Sequence, residues 1–138
     1  MYCHQSHIRV RYSETDQMGF VYYGNYPAYY ECGRIEAMRA LGLSYADLEK
    51  EMGVMMPILE NYGKYRKPAR YDELLTITTC IPALPGVKMR FEYEIHNEAG
   101  ELLHQGWSVL AFMKADTGRP TRAPAPMLTA LKPYFDEE

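Results

Sequence analysis

Residues 12–31 read YSETDQMGFVYYGNYPAYYE and gather six of the chain's thirteen tyrosines around one aspartate, Asp16. The stretch divides at Asn25. Before it, Gly19 and Gly24 interrupt a segment with no helical period, which predicts turns. From Asn25 onward, Tyr26, Tyr30, Gly33, Ala37 and Leu41 recur at the spacing of one helix face. Asn25 is a favoured N-cap residue, Pro27 is tolerated in a first turn, and Gly42 is the expected stop. The main helix therefore begins inside this stretch, and the rest of the chain is arranged around it.

Upstream, HIRVRY (7–12) alternates apolar and polar residues, the period of a half-buried strand. Downstream, Ser44 caps a shorter helix, SYADLEKEM, which Gly53 ends. From Val54 to Met113 the pattern is strand and turn. VMMPILENYGKYRKPARY is extended and bent, with irregularities expected at Pro57, Gly63 and Pro68. ELLTITTCI is a β-branched run closed by the turn PALPG. KMRFEYEI places Met89, Phe91, Tyr93 and Ile95 on one face, and the turn HNEAGE joins it to LLHQGWSVLAFM as a hairpin. The tail holds a Gly-Arg-Pro turn and a short helix candidate, APMLTALKPYF.

This order predicts an α+β fold in one domain, residues 1–138, with a sheet of about five antiparallel strands and one long helix on its face. One helix cannot cover such a sheet from edge to edge. An uncovered edge predicts self-association.

A net charge of −3 with scattered Lys and Arg argues against a nucleic-acid partner, which needs a concentrated basic face. No apolar run is long enough for a membrane span, and the N-terminus lacks the apolar core of a signal peptide. Cys3, Cys32 and Cys80 are odd in number and far apart, with no CxxC spacing. They read as three reduced thiols in a cytoplasmic protein, with neither a disulfide nor a metal site.

Two features of the opening stretch bear on chemistry. Aspartates commonly accept backbone hydrogen bonds in turns, and that role alone would explain Asp16. Its neighbours Met18, Phe20, Val21, Tyr22 and Tyr23, however, would surround the carboxylate with apolar and aromatic surface. Such surroundings disfavour the charged form and suit a carboxylate to activating water or attacking a carbonyl. Tyr22-Tyr23-Gly24-Asn25 then runs into a helix start, whose unpaired N–H groups can polarise a carbonyl oxygen. Tyr26, Tyr29 and Tyr30 fit core packing, with hydroxyls that still need partners. Gly33 in mid-helix implies close approach to the sheet or a second subunit. His4, His7, His96 and His104 show no metal-ligand spacing, and structural roles suit them best.

Residues 11–34, RYSETDQMGFVYYGNYPAYYECGR, closely resemble the opening motif of the hotdog-fold acyl-CoA thioesterases of the 4-hydroxybenzoyl-CoA thioesterase and YbgC type. KYRKPARYDELLTI (64–77) resembles a strand segment of the same family, and the likeness runs through nearly the whole chain. The resemblance implies a curved sheet wrapped around the helix, with two subunits joined edge to edge, as a homodimer or a dimer of dimers. It implies Asp16 as nucleophile or general base and the Tyr23 backbone N–H as holder of the thioester carbonyl, with Gly19 as the turn between them. Val21, Tyr22, Asn25, Tyr26, Pro57 and Ile58 are the accompanying substrate-binding candidates, and Met55 and Met56 are further pocket candidates. The substrate implied is an acyl-CoA or related acyl thioester; no metal or redox cofactor is implied, CoA being part of the substrate.

Two departures stand out. Tyr23 occupies a position where many YbgC-like members carry histidine. PALPG replaces the basic hairpin that meets CoA phosphates in the aromatic-substrate enzymes, leaving Lys88 and Arg90 as the nearest cations. The competing readings are a non-catalytic module that binds an acyl or aromatic group, and a hotdog hydratase or dehydratase using a helix-borne acid such as Glu31.

Overall fold

Strict alternation in KMRFEYEI becomes a strand whose Met89, Phe91, Tyr93 and Ile95 are all buried. In the computed structural model, which describes residues 1–135, this strand is the middle of a five-stranded sheet. The elements in chain order are β1 (Tyr2–Arg9), α1 (Tyr26–Ala40), α2 (Tyr45–Met52), β2 (Val54–Met55), β3 (Ile58–Tyr65), β4 (Leu74–Ile81), β5 (Lys88–His96), β6 (Leu102–Ala111), β7 (Met113–Lys114) and α3 (Ala125–Leu131). The sheet order is β1-β4-β5-β6-β3, all neighbours antiparallel, and β2 pairs separately with β7. Among the described residues no helix is long and apolar enough to cross a membrane.

Helix α1 lies on the inner face, against β1, β4 and β5. It buries Tyr26, Tyr29, Tyr30, Gly33, Ala37 and Met38, a wider stripe than the spacing alone predicts. Gly33 shows why the approach is close: a Cβ there would run into Thr79 Oγ1 and Ile77 on β4. The helix ends as expected at Gly42, whose φ is +82°. The Leu43 N–H donates to the Met38 carbonyl (3.0 Å) and the Gly42 N–H to the Arg39 carbonyl (2.9 Å), a paired C-terminal closure. Ser44 and Gly53 likewise bound α2: the Ser44 side chain accepts from Asp47 N–H, and Gly53 is left-handed.

Three expectations change. Asn25 stands just before α1 but its side chain caps nothing there; Nδ2 donates instead to the Glu14 carbonyl at 2.8 Å, tying the helix start to the preceding loop. Gly63 does not bend its strand. It pairs with Gly106 on β6, and the two leave room on the inner face for the Tyr30 hydroxyl. The thiol expectation fails for two cysteines. Cys3 and Cys80 face each other across β1 and β4, with Cα atoms 4.1 Å apart, and are joined by a disulfide. They are separated by 77 residues, so spacing in the chain carried no sign of the pairing. Cys32 alone is free, exposed on α1.

Candidate active site

The loop between β1 and α1 is folded around Asp16. The Asp16 N–H donates to the Phe20 carbonyl at 2.8 Å, and Gly19, at φ +81°, lets the chain reverse between them. Asp16 Oδ1 accepts the N–H groups of Met18 (2.9 Å) and Phe20 (3.2 Å). Oδ2 has no hydrogen-bond partner among the described residues. Asp16 is thus a turn-former through one oxygen, and the other is free of protein hydrogen bonds among the described residues.

The loop is fastened to the helix by Glu14. Its carboxylate accepts from the Arg11 N–H (2.9 Å), the Arg11 guanidinium (2.9 Å) and the Tyr29 hydroxyl (2.9 Å). Its carbonyl accepts from the Tyr22 N–H and from Asn25 Nδ2, each at 2.8 Å. Burial pushes the Glu14 carboxyl up, and the Arg11 N–H, the Tyr29 hydroxyl and the Arg11 guanidinium outweigh it, so the net shift is downward. Burial, followed by the Glu14 carboxylate, drives the Tyr29 hydroxyl upward, so it stays a donor.

A one-turn 3-10 helix, Tyr23–Asn25, leads into α1. The N–H groups of Tyr23 and Gly24 stand at its start, where a helix supplies no acceptor, and no loop carbonyl takes them among the described residues. Asp16, Met18, Phe20, Val21, Tyr23, Tyr26, Tyr65, Arg66, Lys67 and Pro68 line one cavity of about 340 Å³. A carboxylate oxygen and a helix start therefore share a mostly apolar hollow, the pairing that acyl transfer needs.

A second cavity, of about 240 Å³, continues along β3 past the shared wall of Tyr23, Tyr26 and Tyr65, and adds Gly24, Pro27, Tyr30, Asn61, Tyr62 and Gly63. Behind that wall, Tyr26 stacks on the buried His104 ring at 4.2 Å. Burial, then the neighbouring Tyr65, pushes the Tyr26 hydroxyl up to about 12. Tyr30 Oη lies 2.9 Å from the Tyr62 carbonyl and 2.5 Å from His104 Nε2. The Tyr30 proton satisfies the carbonyl, which makes His104 the donor through Nε2–H. Among the described residues Nδ1 is left buried without a partner, and burial lowers the His104 pKa to about 4.

Of the sequence candidates, Asp16, Val21, Tyr23 and Tyr26 come together in the first cavity, and Gly19 shapes its turn. The Tyr22 ring packs on Tyr23 outside it, and Asn25 serves the loop. Pro57 lines a separate cavity of about 270 Å³ with Tyr45, Leu48, Val54, Met55 and Met56; Ile58 is exposed at the start of β3. Lys88 and Arg90 are not brought to Asp16 within the protomer. Arg90 lies on the outer sheet face, bonded to Glu92 (2.9 Å) and over the Trp107 ring. The cations at the cavity rim are Arg66 and Lys67, overlooked because the segment before Pro68 reads as a plain bent strand. They also have partners on β6 and its leading turn, Gln105 and Glu101. Among the described residues no group of three His, Cys, Asp or Glu side chains is placed to hold a metal.

The model of the family described as "Thioesterase-like superfamily" matches residues 10–131, nearly the whole folded chain. The chain belongs to this family. It is 42% identical over 102 residues to YneP of Bacillus subtilis, provisionally assigned as an acyl-CoA thioesterase, covering 74% of this chain and 73% of that protein. It is 30% identical over 125 residues to the acyl-CoA thioester hydrolase YbgC of Escherichia coli O6:H1, covering 91% and 92%. The DHNA-CoA thioesterase structure from Staphylococcus aureus superposes with a TM-score of 0.87 at 32% identity, covering 100% of this chain and 98% of that one. The hotdog architecture and the thioester-hydrolase family are thus established together.

Proposed function

We propose that this protein is an acyl-CoA thioesterase, hydrolysing an acyl thioester to a carboxylic acid and free CoA. The observation that carries the reading is that Asp16, whose Oδ2 has no partner among the described residues, shares one cavity with Tyr23, whose N–H at the helix start is likewise untaken among them. The thioester oxygen sits at the Tyr23 N–H, where the partial positive charge of the helix start stabilises the oxyanion that forms. Asp16 Oδ2 either attacks the carbonyl carbon, expelling the CoA thiolate and leaving an anhydride for water to open, or takes a proton from the water that attacks. Neither route calls for a metal or redox cofactor. Arg66 and Lys67 suit the polar, CoA-proximal part of the substrate better than Lys88 or Arg90, because they share the Asp16 cavity.

The reading is tested by thiol release from a panel of acyl-CoA thioesters, run beside Asp16→Asn. Asparagine keeps an Oδ1 to accept the Met18 and Phe20 N–H groups, so folding should be preserved while kcat falls about 10²- to 10⁴-fold. Near-normal turnover by Asp16→Asn would remove Asp16 from the chemistry. Thioester binding with no release by the wild type would favour a binding module.

A further inference from the structure

Arg34 is buried on α1, and among the described residues no carboxylate lies within ion-pair distance of it. A buried guanidinium without a counter-ion is costly, so its hydrogen bonds matter. Nη1 donates to the Tyr93 hydroxyl at 3.0 Å. Arginine only donates, so the Tyr93 oxygen is the acceptor there and its proton points onward, to Ser108 Oγ at 2.9 Å. The Ser108 proton then goes to Asn61 Oδ1 at 2.5 Å, directly across the β6–β3 ladder. Each hydroxyl is polarised in the same sense, away from the buried cation.

The chain ends on an amide whose orientation it fixes. With Oδ1 occupied, the Nδ2 donors of Asn61, an exposed residue, have no protein partner among the described residues, and Asn61 lines the second cavity, beside Tyr23, Gly24, Tyr26 and Tyr65. Tyr23, Tyr26 and Tyr65 also wall the Asp16 cavity. On the thioesterase reading, a thioester held at Tyr23 with its thiol side toward Arg66 and Lys67 would extend its acyl group toward Asn61.

We infer that Asn61, aimed by the Arg34–Tyr93–Ser108 chain, donates to an oxygen carried by the acyl group, so that hydroxylated or keto acyl groups are favoured over plain alkyl or aryl ones. The inference rests on the thioesterase reading and adds the acyl class to it. Ser108, Tyr93 and Arg34 are positioning residues for that contact.

The test compares kcat/KM for matched CoA thioesters, butyryl with 3-hydroxybutyryl and benzoyl with hydroxybenzoyl. The wild type should prefer the oxygen-bearing member of at least one pair by about tenfold or more, as a site built around a polar donor does. Asn61→Leu should bring that ratio close to one, and Ser108→Ala should lower it partway. Asn61→Asp keeps the acceptor for Ser108 but loses the donor, so it should also erase the preference, even if the leucine variant folds poorly. Equal activity of the wild type on both members of each pair, or an unchanged ratio in the Asn61 variants, overturns the role of Asn61. Absence of thiol release from any thioester overturns the thioesterase reading itself.

Discussion

At the residue scale, His104 carries the clearest statement about pH. Its ring is buried under Tyr26, Nε2–H is engaged by Tyr30, and among the described residues nothing accepts a hydrogen bond from Nδ1 were it to take a second proton. The native pKa of about 4 lies below the ordinary 6.5. Unfolded chains therefore bind a proton at this position between pH 6.5 and 4, while the native protein does not. The stability from a neutral His104 is complete above about pH 6.5 and is lost as pH falls toward 4, with a slope of at most ~1.4 kcal/mol per pH unit. His104→Gln should flatten that part of the profile. Urea unfolding midpoints at pH 7.5, 5.5 and 4.5 measure it, and parallel profiles for variant and wild type would refute it. In the sequence His104 was one histidine among four, with no spacing to mark it. Its burial comes from facing Tyr65 across the ladder and Tyr26 across the core, contacts distant in the chain. Asp16 was more legible, since its turn, its apolar neighbours and the coming helix all lie within ten residues.

At the element scale, the loop holding Asp16 and the helix holding Tyr23 are separate pieces, and Glu14 is the rivet between them. Glu14→Ala removes the acceptor of the buried Tyr29 hydroxyl, a loss of about 1–3 kcal/mol. It also frees the loop to shift against the helix start, so kcat should fall more than KM rises; a variant with lower stability and unchanged kcat would show that Glu14 is structural only. The seating of α1 on β4 is testable in the same way. Gly33→Ala puts a methyl against Thr79 Oγ1, which should cost about 1–3 kcal/mol, and adding Thr79→Ala should recover part of it in thermal melts. Full additivity of the two losses would exclude that contact. Elements with a strong local period, β5 and α1 above all, were readable from the chain because alternation and helical spacing need only neighbours in sequence. Sheet order was not. β3 joins β6 rather than β4, and that crossing alone brings Asn61 to Ser108 and Tyr65 to His104.

At the scale of the whole molecule, two features are set by how the sheet closes. The Cys3–Cys80 bridge ties the first strand to the fourth, and it removes the argument for a reducing compartment that three free thiols would have made. Alkylation of the native protein without reductant should label Cys32 alone, and labelling of all three cysteines would contradict the bridge. The other feature is the outer edge of β3. Among the described residues that strand is hydrogen-bonded on one side only, and it exposes Ile58, Leu59, Tyr62 and Tyr65, a combination that monomeric proteins avoid. The cavity holding Asn61 and the cavity holding Asp16 both open beside it, so a second copy paired along β3 would wall in both. We therefore expect a symmetric dimer joined through β3, with a light-scattering mass twice the 16.0 kDa of one chain. Leu59→Glu would place two like charges at the seam. It should shift the mass toward that of one chain and lower kcat/KM in parallel, although residue 59 lines neither cavity. A wild-type monomer with full thioesterase activity would show instead that one protomer completes the site alone.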